Sequence, residues 1–206
     1  MRISHLSART GVSIPSIKFY LREGLLDAGE RTSRTQAEYG ERHVDRLRVI
    51  KALSEVPGLS INRIRDILAL IDNPGEDLLG ALGSASKQLP PYADDNVSLQ
   101  DSANEVLTRL SGSADREIDA LGQLGHALQT AQAANLPVSD ERLEVYREHL
   151  GAIAAYEIAT MPTEPSDALT YAVIGTVLYE PLLLALRRIA LQEEATAALS
   201  GPGNAK

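Results

Sequence analysis

Cysteine is absent from the 206-residue chain, which removes disulfides, thiolate metal sites and covalent thiol chemistry together. No glycine-rich phosphate loop, no HExxH and no nucleophile elbow occurs, so no catalytic residue and no cofactor is expected. The opening residues MRISHLSART lack the apolar run of a secretory leader, and a cytoplasmic, nucleoid-associated location is expected. There is no internal repeat of the kind that builds solenoids.

Acidic residues outnumber basic ones, 28 to 20, for a net charge of −8, which spread evenly would repel nucleic acid. The charge is not even. Residues 1–72 carry 12 Lys and Arg against 9 Asp and Glu, net +3, and residues 73–206 carry net −11. A mildly basic module followed by an acidic remainder is the distribution expected when one part meets phosphates and the other does not. Residues 168–186 form a run long and apolar enough to cross a bilayer. Glu180 and Pro181 interrupt it and no aromatic belt flanks it, so a buried core or dimer helix, not a membrane span, is expected.

Capping residues and breakers divide the chain. A short helix over 3–10, with Ile3 and Leu6 inward, stops at Gly11. A second begins at the N-cap Ser13, tolerates Pro15 in its first turn and ends before Gly24. Residues 26–39 are small and polar without helical period, which suits a loop or a β-hairpin wing. From Glu41 the apolar stripe Val44, Leu47, Val49, Ile50, Leu53 marks a helix that ends at Pro57-Gly58. Ser60 caps another, with Ile61, Ile64, Ile67, Leu68 and Ile71 inward, closed by Asn73-Pro74-Gly75. The remainder reads as helices near 76–89, 98–111, 114–135, 139–160 and 166–198, separated by Pro90-Pro91, Ser111-Gly112, Pro137 and the pair Pro162 and Pro165; Pro181 can begin a new segment.

The expected fold is therefore mostly α: a winged helix-turn-helix of four helices plus a small β-hairpin wing over 1–72, a connecting helix and linker over 73–92, an all-helical dimerisation and effector domain over 93–200, and a disordered tail over 201–206.

In a helix-turn-helix the second helix enters the major groove, with cationic or hydrogen-bonding side chains outward and aliphatic ones inward. Ile14, Ile17 and Leu21 are spaced for an inner face, leaving Pro15, Ser16, Lys18, Phe19 and Arg22 outside. Lys18 and Arg22 lie one turn apart and can reach base edges or phosphates together, and Tyr20 is core or a phosphate contact. In the wing, Arg31 and Arg34 flank Thr32, Ser33 and Thr35 with no carboxylate between them, a set suited to phosphates. A solvated basic helix and a polar surface hairpin would show the same residues.

The string ISHLSARTGVSIPSIKFYLREGLL, followed by RTSRTQAEYGERHVDRLRVIKAL and GLSINRIRDIL, resembles the DNA-binding domain of MerR-type transcription regulators in wording and spacing over about the first 72 residues. The resemblance implies a homodimer on palindromic double-stranded promoter DNA that untwists or bends the spacer and changes how RNA polymerase meets the promoter. It assigns DNA contact to Lys18, Phe19, Tyr20, Arg22, Arg31 and Arg34, with Ser16 and Tyr39 as further candidates. The chain departs from the family pattern at Pro15, where many relatives have arginine, at Thr35-Gln36-Ala37, where G-Y-R is common, and at Phe19, a ring without the usual hydroxyl.

The acidic half offers less. His126 and His149 have no second nitrogen or carboxylate in a ligand spacing, so no metal is expected. Tyr146, Tyr156, Tyr171 and Tyr179 with Glu180 are candidates for the aromatic wall and single acid of a pocket for a small organic effector, against the plainer reading of tyrosines at a core or dimer edge. Glu180 interrupts an apolar run, where an acid must be paired, protonated or functional. Leu182, Leu183, Leu186, Ile189 and Ala190 make a stripe suited to a partner subunit. The alternatives are an effector-free architectural or partner-binding DNA-binding protein, and an enzyme with a DNA-binding appendage.

Overall fold

The computed structural model describes residues 1–33, 36–90, 97–111 and 120–200. Helices α1 (Ile3–Thr10) and α2 (Ile14–Arg22) are followed by strands β1 (Glu30–Arg31) and β2 (Ala37–Glu38). Then come helices α3 (Glu41–Ser54), α4 (Ile61–Asp72), α5 (Leu78–Ser86), α6 (Val97–Ser111), α7 (Ala120–Ala133), α8 (Asp140–Ala159) and α9 (Pro165–Leu199). The expected helices are present to within a few residues. The helix expected from 114 starts in the described residues at Ala120, its first turns and the 201–206 tail lying outside them.

Local chemistry accounts for these boundaries. Gly11 ends α1 in the left-handed region (φ 65°), which glycine adopts without the Cβ clash of other residues. Ser13 Oγ then accepts the Ser16 N–H at 3.1 Å to cap α2, and Ser60 and Ser139 cap α4 and α8 in the same way. At the head of α3 a histidine takes the capping-box role: Gly40 N–H donates to His43 Nδ1 at 3.0 Å. That bond puts the proton of the neutral ring on Nε2, which is buried and has no partner among the described residues.

The core does not stop at residue 72. Leu6, Ile17, Val44, Leu47, Ile50, Leu53, Ile64, Ile67 and Leu68 form its centre, and Ala81, Ala85 and Leu89, from α5 and the turn after it, join the same cluster with Leu169 and Val173 of α9. Leu169 is fully buried, and Ser166 Oγ donates to the Ile71 carbonyl at 2.8 Å, docking the start of α9 at the end of α4. The helix-turn-helix is thus closed by a helix that begins about 90 residues later, a pairing that local spacing cannot reveal.

Elsewhere α6 and α7 pack as a pair around Leu99, Ala103 and Leu121. Gly125 lets the backbones meet there, since a Cβ at that position would collide with the Leu99 carbonyl oxygen. An Arg109–Asp140 ion pair at 2.8 Å ties α6 to α8.

Helix α9 continues through Pro181 rather than restarting there, so the Val177 carbonyl, four residues earlier, faces a residue with no N–H. Its most apolar 18 residues have mean hydropathy 1.7, enough by length and composition for a membrane span, yet only 11% of that window is buried. Its first turns lie in the core of the helix-turn-helix, and beyond them Leu178, Leu182, Leu186 and Ile189 face outward.

Candidate nucleic-acid interface

Helix α2 and the hairpin form the two walls of a basic groove. Ile17 anchors α2 in the core, with Ile14 and Leu21 half-buried beside it, which turns Lys18 and Arg22 to solvent. The Arg22 guanidinium lies 5.2 Å from the centroid of the Phe19 ring, a cation–π stack that holds both side chains along one side of the helix, and the nearest Glu23 oxygen is 3.4 Å away. The Ser16 hydroxyl is 2.7 Å from Ser13 Oγ at the cap.

The Tyr20 ring packs edge-on to Phe19 and its hydroxyl lies 3.3 Å from Ser54 Oγ. Ser54 gives its own proton to the Ile50 carbonyl at 2.7 Å, so Tyr20 is the donor to Ser54. Of its two expected roles, support of α2 on α3 accounts for both its ring and its hydroxyl.

The hairpin is short. Glu30 pairs with Glu38 and Arg31 with Ala37, and the turn is tied by Thr32 N–H to the Gln36 carbonyl at 3.0 Å. Gly29 is required at its base because a Cβ there would strike the Glu38 carbonyl oxygen. Arg31 is exposed on β1, and Arg34 lies outside the described residues. Tyr39 differs from the expectation for a contact residue: only 8% of it is exposed, its ring meets His43 edge-on at 5.2 Å, and its N–H donates to the Met1 carbonyl at 2.8 Å.

Between these walls is a groove of about 450 Å³ whose charged lining is Arg2, Lys18 and Arg31, with Ser33 and Gln36 at the hairpin end and no carboxylate. None of the three cations forms an ion pair among the described residues. Arg2 escaped the sequence reading. It sits at the N-cap of α1 and reaches the groove through the Met1–Tyr39 pairing, 38 residues apart, which no local pattern announces.

Three other arginines of the module, Arg9, Arg46 and Arg65, are occupied with the fold. Arg46 pairs with both oxygens of Asp72 at 2.8 and 2.7 Å and donates to the Leu25 carbonyl at 3.0 Å, pinning the exit of α2 to α4. Arg65 donates to the Glu23 carbonyl at 3.3 Å. Arg9 grips Glu41 with both guanidinium nitrogens, and that hydrogen bonding holds the Glu41 carboxyl below its ordinary range. Net charge counts all these arginines alike, whereas the groove gathers cations that form no ion pair among the described residues.

In the helical half the tyrosines separate. Tyr171, Tyr179 and Glu180 of α9 and Glu157 of α8 line one cavity of about 250 Å³; Tyr171 Oη is 3.0 Å from Thr160 Oγ1 at the α8–α9 turn. Tyr146 and Tyr156 are not part of it. Hydrogen bonds from Arg187 and Arg142 draw the Tyr146 phenol below its usual range, and Tyr156 is exposed on the far side of α8. Tyr156 and Glu157 are successive residues of α8, and the rotation between them gives the cavity the acid and not the ring. Partial burial raises the Glu180 carboxyl above its usual range.

Residues 1–71 match the MerR HTH family of regulatory proteins. The mercuric resistance operon regulatory protein of Bacillus cereus is 37% identical over 71 residues, 34% of this chain and 53% of that protein. The HTH-type transcriptional regulator CueR of Yersinia pestis is 30% identical over 74 residues, 36% of this chain and 52% of that protein. The chain thus spans about half the length of the curated relatives it matches. The crystal structure of a candidate transcriptional regulator from Streptomyces coelicolor A3(2) is similar over 96% of this chain and 97% of that one, with TM-score 0.71 and 31% identity.

Proposed function

The chain belongs, through residues 1–71, to the MerR HTH family of regulatory proteins, and from that premise we propose that it binds promoter DNA as a homodimer and is modulated by a small organic ligand in its helical half. Members of the family are transcription factors rather than enzymes, which accords with the lack of any catalytic motif and with a cytoplasmic protein.

The observation that carries the DNA-binding reading is the groove between α2 and the hairpin, where among the described residues three cations form no ion pair and no carboxylate joins the lining. Where α2 enters the major groove, Arg2, Lys18 and Arg31 hold the flanking phosphates, and Ser16, Phe19 and Arg22 extend the contact along the same helix toward base edges. In a twofold dimer the two α2 helices meet successive major grooves about 34 Å apart, so the site is an inverted repeat. Deforming the spacer between the half-sites then changes how RNA polymerase meets the promoter.

The dimer reading rests on α9. Leu178, Leu182, Ala185, Ile189, Gln192, Thr196 and Leu199 recur at alternating steps of four and three, and all are exposed, the pattern of a helix seam that lacks its partner. Twofold symmetry pairs such a stripe with its own copy.

For the effector, Tyr171, Tyr179, Glu157 and Glu180 supply aromatic walls and acids at one cavity. The mercury named for the Bacillus cereus relative does not carry over, because that chemistry favours thiolates and this chain has no cysteine.

The test is selection of binding sites from a random duplex pool with the purified full chain. Enrichment of an inverted repeat whose half-sites lie about one helical turn apart supports the reading. A pool that remains unenriched at low salt overturns it.

A further inference from the structure

Next to the tyrosine-lined cavity, and sharing Thr176 and Glu180 of α9 with it, lies a second one between that helix and the end of α3. It has a volume of about 430 Å³, within the range of small-molecule sites. Val56, Leu89, Val177 and Leu184 give it apolar walls, Glu55 and Glu180 are its ionisable groups, and among the described residues no Lys, Arg or His lines it. Pro181 is also in the wall and, having no N–H, leaves the Val177 carbonyl without its helical donor. The two carboxylates and the Val177 carbonyl are therefore all acceptors. Both carboxylates keep solvent contact, yet they border this apolar surface with no cation among the described lining residues, and partial burial pushes the Glu180 carboxyl upward.

We propose that this cavity binds the effector and that the effector is an organic ammonium ion: a protonated amine on an apolar body, its N–H groups shared among Glu55, Glu180 and the Val177 carbonyl. The apolar body packs on Val56, Leu89 and Leu184. The inference rests on the regulator reading above and deepens it by naming the ligand class and moving the site from the tyrosines to the junction of the helix-turn-helix with α9.

The location supplies a route to DNA. Glu55 directly follows Ser54, the residue that holds the Tyr20 hydroxyl at 3.3 Å, and Tyr20 lies on α2 two positions after Lys18. Val177 directly precedes Leu178 of the exposed α9 stripe. An occupant bridging Glu55 and Glu180 therefore touches both the support of the recognition helix and the helix read as the dimer seam, so it can favour one arrangement of the two over another.

The chain contains no tryptophan, so Leu184→Trp places a single fluorescent reporter at the cavity in the full-length protein. The probe is 3,3-diphenylpropylamine at pH 7, compared with 3,3-diphenylpropanol and 3,3-diphenylpropionate, which keep the apolar body and change the head group. The expected result is a saturable change with the amine, binding at least tenfold weaker for the alcohol, and none for the carboxylate. Glu55→Gln and Glu180→Gln each raise the Kd for the amine about fivefold, the scale of a part-exposed ion pair. Tyr171→Phe, in the other cavity, leaves it unchanged. Calorimetry on the chain without the tryptophan gives the same order of affinities.

Equal affinity for amine and alcohol, or a Kd unchanged by both glutamine variants, overturns the site. Loss of amine binding in Tyr171→Phe as great as in Glu55→Gln moves the effector to the tyrosine cavity and overturns it too. Site selection from the random duplex pool is run beside the titrations. A chain that selects an inverted repeat but binds no amine refutes the ammonium site and leaves the regulator reading standing. A chain that binds the amine through Glu55 and Glu180 but selects no DNA keeps the cavity and refutes its role as an effector site.

Discussion

Leu169→Ala tests whether the DNA-binding module and α9 are one cooperative unit. Leu169 is fully buried, yet it lies 97 residues beyond the end of α4 and shares a core with Leu47, Ile64 and Ile67. Truncation to alanine removes three carbon atoms from a site closed by α3, α4 and α5, where relaxation is limited. Buried leucine-to-alanine changes cost about 3 kcal/mol, transfer and cavity contributions together. Against the 5–15 kcal/mol that holds typical domains folded, that is a large fraction, worth roughly 6–12 °C in Tm for a chain of this size. The assay is urea unfolding followed by circular dichroism, with duplex binding measured at each denaturant concentration. If the core is shared, helix loss and loss of DNA binding shift together to lower urea. If residues 1–72 fold independently and α9 is an appendage, the DNA-binding transition stays within about 0.5 kcal/mol of the parent, and the account of one core fails.

The double substitution Leu182→Asp, Ile189→Asp places two carboxylates on the exposed α9 stripe without touching the core; sedimentation at micromolar concentration should show a dimer for the parent and a monomer for the variant, and a variant that stays dimeric would remove the seam from α9. A raised carboxyl pKa means that the folded chain holds the Glu180 proton more tightly than the unfolded one, so the contribution is favourable at low pH and is lost as pH rises through the raised value. Glu180→Gln should therefore melt above the parent at pH 7, with the gap closing near about pH 3.5; a gap that widens on acidification contradicts the assignment.

The helix boundaries were legible because their signals are local. Gly11, Ser13 and Pro15 bracket the turn before α2, and Ser60 and Ser139 announce their helices by capping chemistry that needs only a few neighbouring residues. The apolar stripe of α3 was equally plain. What local spacing hides is the identity of distant partners. Nothing near Leu169 shows that it completes the core of the helix-turn-helix, and nothing near Arg2 shows that Met1 pairs with Tyr39 and delivers Arg2 to the groove.

The candidate site was legible to the same degree. Lys18 and Arg31 were readable as outward cations on α2 and the wing, while Tyr39, an aromatic next to them in pattern, turned inward on His43. Glu180 stood out because its charge breaks an apolar run, but the residue that faces it across the second cavity, Glu55, is one of many surface acids until α9 is folded against α3.

The central claim, that Arg2, Lys18 and Arg31 grip DNA phosphates from a free basic groove, is tested most directly by the salt dependence of duplex affinity. Three cations per protomer, six per dimer, predict a slope of log K against log salt of about −5. Lys18→Ala with Arg31→Ala removes four of the six contacts and should flatten the slope by roughly 3 to 4; a double variant with the parent's slope would contradict the account.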